Sequence, residues 1–228
     1  MKRDFILLQI NDALFPIGGY SHSYGLETYI AKNLIADEQQ AEQYIYAKLR
    51  YGLLYSELFA VRLAWEAAAA RQLERLNTLS DLYEASRTAE EVREASHKLA
   101  SRFVKTVSVI APPFESEIFA EYLNSRRGEP LHHAIVYGVF CAACGIDLRR
   151  AAEAFLYAQT SAMVTNCVKA VPLSQTAGQR LLGRCIDRFD ALMEELLALE
   201  EDRLCQSAPG FDLRCMQHEG LYSRIYMS

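Results

Sequence analysis

Residues 173–204, LSQTAGQRLLGRCIDRFDALMEELLALEEDRL, carry the most regular hydrophobic pattern in this chain of 228 residues. Apolar side chains recur there every three or four positions, at Leu181, Leu182, Cys185, Ile186, Phe189, Leu192, Met193, Leu196 and Leu197. This spacing places them on one face of an α-helix, as is typical of a helix that faces a core or another helix. The stretch therefore predicts one long amphipathic helix.

The same spacing recurs along most of the chain, and no stretch shows the alternation expected of a β-strand. It predicts helices over residues 4–14, 22–33, 37–70 with a bend at Gly52, 80–86, 88–110, 115–124, 131–144 and 148–169. The helix starts are predicted from capping residues, namely Asp4, Ser21, Asp37 with Gln40, and Thr88 with Glu91.

Composition supports the same fold class. The chain has 30 alanines and 29 leucines but only 11 glycines and 6 prolines, and alanine and leucine lose least on entering a helix. We predict an all-α, single-domain bundle of roughly nine to ten helices over residues 1–208, followed by a C-terminal tail over residues 209–228.

Charge and hydropathy exclude several classes of protein. A net charge of -5 without a basic block argues against nucleic-acid binding. No stretch reaches the roughly 20 apolar residues of a membrane span, and the apolar run at residues 5–8 is too short for a signal peptide. We expect a cytoplasmic protein whose six cysteines are free thiols.

The sequence carries no P-loop, no His-Glu-x-x-His pair and no Gly-x-Ser-x-Gly elbow, so no enzyme is predicted. Cys141-Ala-Ala-Cys144 leaves one alternative open, a helical enzyme that uses these thiols for redox chemistry or metal binding. Because the pair lies within an alanine-rich helical run, two buried structural thiols are the favoured interpretation.

The histidines give weaker signals. Adjacent side chains diverge by about 100° on a helix, so one of His132 and His133 is expected to face inward and the other outward. His97 is expected to be solvated on a charged helix. No stable metal site is predicted, and Cys215 with His218 are the weak candidates for one.

The end of the chain, FDLRCMQHEGLYSRIYMS at residues 211–228, has neither a strong helical period nor the polarity of a solvated tail. A free tail of this kind would expose apolar surface to water. It is expected either to dock on its own domain or to become ordered when it binds a partner.

Three stretches together resemble one family, the UreF urease accessory proteins. They are LLQINDALFPIGGYSHSYGLE at residues 7–27, the region from 131–145 to SAMVTNCVKAVPLSQTAGQ at residues 161–179, and Pro209-Gly210 with MQHEGLYSRIYMS at residues 216–228. Their order and spacing fit over nearly the whole chain. Two departures are Cys141-x-x-Cys144, where small apolar residues are expected, and Ser174-Gln175, where the family often has Gly-Gln.

This resemblance implies an all-helical, cytoplasmic, homodimeric chaperone for nickel insertion into urease, acting with a UreG-type GTPase, the scaffold UreD/UreH and apo-urease. GTP would be bound by the GTPase partner and not by this chain. Nickel would pass through the assembled complex without stable binding here. A generic helical adaptor remains the second alternative.

The resemblance also implies roles for individual residues. The N-terminal motif comprises Pro16, Gly18, Gly19, Ser21, His22, Gly25 and Glu27. The predicted dimer or partner interface comprises Gly138, Asn166, Lys169, Pro172, Gln175 and Gln179. The predicted scaffold-binding tail comprises Gln217, His218, Glu219, Leu221, Tyr222, Arg224 and Ile225.

Overall fold

A computed structural model describes residues 2–206 and 208–227, and these residues form helices and turns with no β-strand. The α-helices are α1 (Lys2–Ile10), α2 (Leu26–Ala31), α3 (Glu38–Ala47), α4 (Phe59–Ala69), α5 (Leu73–Ser86), α6 (Glu90–Ile110), α7 (Ile118–Ser125), α8 (His133–Ala143), α9 (Leu148–Ala170), α10 (Gln175–Ile186), α11 (Phe189–Ala198) and α12 (Pro209–His218). The prediction of an all-α fold is confirmed. None of the described helices combines the length and apolar character needed to cross a membrane.

Several boundaries differ from prediction. Helix α5 begins at Leu73 and not at residue 80, α1 ends at Ile10 and not at residue 14, and α2 begins at Leu26 and not at residue 22. The expected helix over 173–204 divides at Asp187 and Arg188 into α10 and α11, so the periodic pattern crosses a break. A π-helical segment, Lys48–Leu58, joins α3 to α4 around the expected bend at Gly52. The tail contains α12, which was not predicted.

Only one of the four predicted caps is confirmed. The side chain of Asp37 accepts a hydrogen bond from the amide of Gln40 at 2.8 Å. Asp4 instead lies inside α1, Ser21 lies in the 3₁₀ turn Gly19–Ser21, and α6 begins after Ala89 without a side-chain cap from Thr88. In these three cases the helix begins at a different residue from the one predicted.

Helix α8 forms the centre of the core. It packs against α4, and Gly138 makes the close approach possible, because a Cβ there would lie 2.5 Å from the carbonyl oxygen of Val61. Cys141 and Cys144 on the same helix are buried free thiols, as favoured from the sequence. Burial raises the pKa of Cys141 well above its usual value and that of Cys144 to about 12.

We expect Gly138→Ala to lower the free energy of unfolding by about 1–3 kcal/mol, because the new methyl group overpacks the contact between α4 and α8. Urea unfolding followed by circular dichroism measures this change. Gly183→Ala on α10 is the matched control, since a Cβ added there would meet no tertiary neighbour within 4 Å among the described residues, and it should stabilise the helix by up to about 1 kcal/mol. Equal effects of the two substitutions would contradict this packing.

Candidate functional site

The two ends of the chain pack against each other and form the candidate functional site. Helix α12 packs against α2 and α6, and α2 directly follows the N-terminal motif. The hydroxyl of Thr28 on α2 donates a hydrogen bond of 2.8 Å to the carbonyl oxygen of Arg214 on α12. The tail therefore docks on its own domain, which is one of the two outcomes expected for it.

Gly25 permits this close contact. Its φ of +89° lies in the left-handed region that glycine adopts without strain. A Cβ at this position would lie 3.0 Å from the sulfur and 3.2 Å from the backbone nitrogen of Cys215. A larger residue would therefore be strained itself and would also push α12 away from the start of α2.

Glu27 is the main anchor of the tail, and its side chain is only 9% exposed. Its Oε1 accepts a hydrogen bond from the amide of Ile225 at 2.7 Å, and its Oε2 accepts one from the amide of Tyr226 at 2.9 Å. The Nε2 of His218 lies 3.0 Å from the same Oε2. One carboxylate thus contacts three groups of the tail, and hydrogen bonds to charged groups are stronger than neutral ones.

Glu91, on the first turn of α6, is the second anchor. Its Oε2 lies 2.6 Å from Nδ1 of His218, and its Oε1 lies 2.8 Å from Nη1 of Arg224. His218 is fully buried, and its two ring nitrogens contact these two carboxylates. Cys215 packs against Gly25. Cys215 and His218, the two weak metal candidates, therefore contribute to packing.

The second stretch of the resemblance, which includes residues 161–179, reaches the same place through α9. The side-chain amide of Asn166 donates a hydrogen bond of 2.9 Å to the carbonyl oxygen of His22. The amide of Met227 donates one of 2.8 Å to the carbonyl oxygen of Ser21. Burial, together with Lys98 and Arg102, lowers the pKa of His22 to about 4, so this ring is neutral at pH 7.

The predicted interface residues separate into two groups. Gly138 and Asn166 are buried and make their contacts within the chain. Four others are exposed near the junction of α9 and α10, namely Lys169, Pro172, Gln175 and Gln179. The hydroxyl of Ser174 caps α10 by accepting from the amide of Ala177 at 3.1 Å. Of the six, these four are exposed at the surface of this chain.

The docked tail leaves five large apolar side chains exposed. They are Leu213, Met216, Tyr222, Ile225 and Met227. Among the other predicted tail residues, Glu219 and Arg224 are exposed, whereas Gln217 and Leu221 are half-buried. An apolar surface presented by an ordered segment is typical of a protein-binding site.

Sequence reasoning missed a second polar cluster beside this site. His97 is only partly solvated, since its side chain is 28% exposed and its Nε2 lies 2.7 Å from Oε2 of Glu84. His132 and His133 are both buried, so the expectation that one of them faces outward is wrong. His132 precedes α8 and contacts Glu84. His133 faces Phe103 and other aromatic rings. The contact between Glu84 on α5 and His97 on α6 joins two separate helices, and no local pattern in the sequence indicates it.

We expect Glu27→Gln to release residues 219–227, because the amide NH₂ cannot accept from the tail and the charge beside His218 is lost. Hydrogen bonds to charged groups contribute about 1.5–3 kcal/mol, so trypsin should cut after Arg224 about ten to a hundred times faster. Mass spectrometry of the fragments measures the rate. Glu129→Gln, at an exposed position, should leave it unchanged, and an unchanged rate in Glu27→Gln would contradict the anchor.

Comparison with known proteins identifies the family of this chain. The UreF family model matches residues 35–186. The urease accessory protein UreF of Corynebacterium glutamicum (strain R) is 30% identical over 230 residues, covering 100% of this chain and 99% of that protein. Those of Bacillus sp. (strain TB-90) and Actinobacillus pleuropneumoniae serotype 5b (strain L20) are 32% and 34% identical, covering 100% and 97% of each chain. The chain belongs to the UreF family.

Proposed function

We propose that this chain is a non-catalytic, cytoplasmic chaperone of urease maturation. It couples a UreG-type GTPase to the UreD/UreH scaffold and apo-urease during GTP-dependent nickel insertion. The observation that carries the proposal is the docked tail, which Glu27 holds against the N-terminal motif while apolar side chains remain exposed. Membership of the UreF family supplies the urease context.

The tail is assigned to the scaffold. Tyr222 and Ile225 are highly exposed, although the backbone around them is fixed by Glu27 and Glu91. A binding segment that is ordered beforehand loses less conformational entropy on association than a free one. Tyrosine is also enriched among residues that dominate binding energy. These properties suit a surface that a scaffold protein covers.

The surface around the junction of α9 and α10 is assigned to the homodimer or to a second partner. It is bounded by Lys169, Pro172, Gln175 and Gln179, all exposed. Asn166 ties α9 to the N-terminal motif through the carbonyl oxygen of His22. This hydrogen bond joins α9, which leads to the second surface, to the N-terminal motif, against which the tail docks.

GTP binding and hydrolysis belong in this proposal to the GTPase, because the chain has no P-loop motif. A partner alters GTP turnover only if it binds the GTP and GDP states with different affinities. Nickel is a cargo in transit through the complex. The alternative of thiol chemistry at Cys141 and Cys144 gains no support, since both thiols are buried and their pKa values are raised.

The double variant Tyr222→Ser/Ile225→Ser should weaken binding to the purified scaffold by about thirtyfold or more, the effect of losing an interface hot spot of about 2 kcal/mol. Deletion of residues 211–228 should abolish binding while the helical domain stays folded. Titration calorimetry measures the affinity. Val109→Ser is the control, because Val109 is 82% exposed near the far end of α6, and it should bind normally.

The same proteins then test the maturation role. Apo-urease, the GTPase, the scaffold, nickel and GTP are incubated with each form of the chain, and active urease is measured. The wild type and Val109→Ser should raise the yield, whereas the double variant should not. An equal yield without this chain would refute the proposed function, and a generic adaptor would give that result. Normal scaffold binding by the double variant would refute only the role of the tail.

A further inference from the structure

Three donor side chains from separate elements meet in one cluster. Oε2 of Glu84 on α5 lies 2.7 Å from Nε2 of His97 on α6 and 2.7 Å from Nε2 of His132, which precedes α8. The three atoms lie within 4.8 Å of one another. We propose that they form a binding site for one divalent transition-metal ion of the Zn²⁺ class. This site goes beyond the proposed function.

The donor chemistry fits such an ion. Two imidazole nitrogens and one carboxylate oxygen form a set that Zn²⁺ accepts, with a water molecule in the fourth position. Bonds of about 2.0–2.2 Å in tetrahedral geometry separate neighbouring ligand atoms by about 3.3 Å. The two distances from Oε2 of Glu84 to the imidazole nitrogens, 2.7 Å each, are shorter than this value, and the upper limit of 4.8 Å for the three donor atoms is longer. Small rotations of Glu84 and His97 are therefore enough to open the site around an ion.

Neighbouring groups hold two of the ligands in position. Oγ of Ser96 lies 3.1 Å from Nδ1 of His132 and can accept a hydrogen bond from the protonated Nδ1, which leaves the lone pair of Nε2 for a metal. Nε of Arg93 lies 3.6 Å from the other carboxylate oxygen of Glu84. The ring of Tyr83 packs edge-on against His132, with 4.9 Å between centroids. Such support is expected of a metal site.

Burial gives the site an inner and an outer side. The side chain of His132 is 0% exposed, whereas those of His97 and Glu84 are 28% and 32% exposed. An ion can therefore enter from solvent between His97 and Glu84 and reach His132 at the inner end. The nearby guanidinium groups of Arg87 and Arg93 oppose the charge of the ion, so direct bonds to the three donors have to outweigh this repulsion.

The competing interpretation is a hydrogen-bonded cluster without a metal, in which both imidazoles donate to Glu84. Calorimetric titration of the full chain with Zn²⁺ distinguishes the two. One Zn²⁺ should bind per chain, and His97→Gln and Glu84→Gln should each weaken binding by at least about tenfold. Glu94→Gln is the control, because Glu94 is exposed on the same helix and pairs with Lys98. It should bind Zn²⁺ like the wild type.

Nuclear magnetic resonance of the wild-type histidine side chains supplies a readout that does not depend on any variant. Zn²⁺ should shift the ring-nitrogen signals of His97 and His132 and leave those of His22 and His218 unchanged. The proposal would be overturned by the absence of saturable binding, by unchanged affinity in folded His97→Gln, or by shifts confined to His218. None of these outcomes bears on urease maturation, so the two proposals can fail separately.

Discussion

The buried carboxylate of Glu27 is the constraint on which the candidate site depends. A carboxylate removed from water is costly unless it is paired and hydrogen-bonded. Its partners here are the amides of Ile225 and Tyr226 and the ring of His218, all supplied by the opposite end of the chain. The start of α2 and the tail therefore stabilise each other, because each supplies the hydrogen-bonding partners of the other.

This arrangement gives the tail two faces with different roles. The inner face carries Cys215 and His218 and is buried against Gly25, Glu27 and Glu91. The outer face exposes apolar side chains, among them Tyr222 and Ile225. The two outcomes expected for the tail, docking on the domain and recognition of a partner, are therefore compatible, because one segment can do both at once. Docking reduces the entropy that recognition would otherwise lose.

Periodicity predicted the class of fold correctly because most helices bury one apolar face. It failed at Asp187 and Arg188, where the apolar spacing continues across the break between α10 and α11 and no glycine or proline marks it. It also missed α12, although Phe211, Cys215 and His218 have helical spacing and Pro209 occupies the first turn. The buried residues of α12 include His218, and a pattern based on apolar residues alone does not detect a buried histidine.

The resemblance predicted which stretches belong to the site but not how they meet. Glu27 and Ile225 are separated by almost the whole chain, and no local pattern indicates that one binds the amide of the other. Glu91 was assigned to a helix cap, whereas it binds His218 and Arg224. His97 was placed in solvent because its sequence neighbours are charged, while its actual partner is on α5. Such contacts depend on tertiary packing.

Hydrogen exchange of the Ile225 and Tyr226 amides in the unmodified chain tests the central claim most directly. Both amides donate to a buried carboxylate, so they should exchange at least about tenfold more slowly than in an unstructured peptide, as expected when opening costs about 1.4 kcal/mol or more. The amide of Tyr222, which lies outside this contact, serves as the internal reference. Exchange of Ile225 and Tyr226 at the rate of an unstructured peptide would contradict the account.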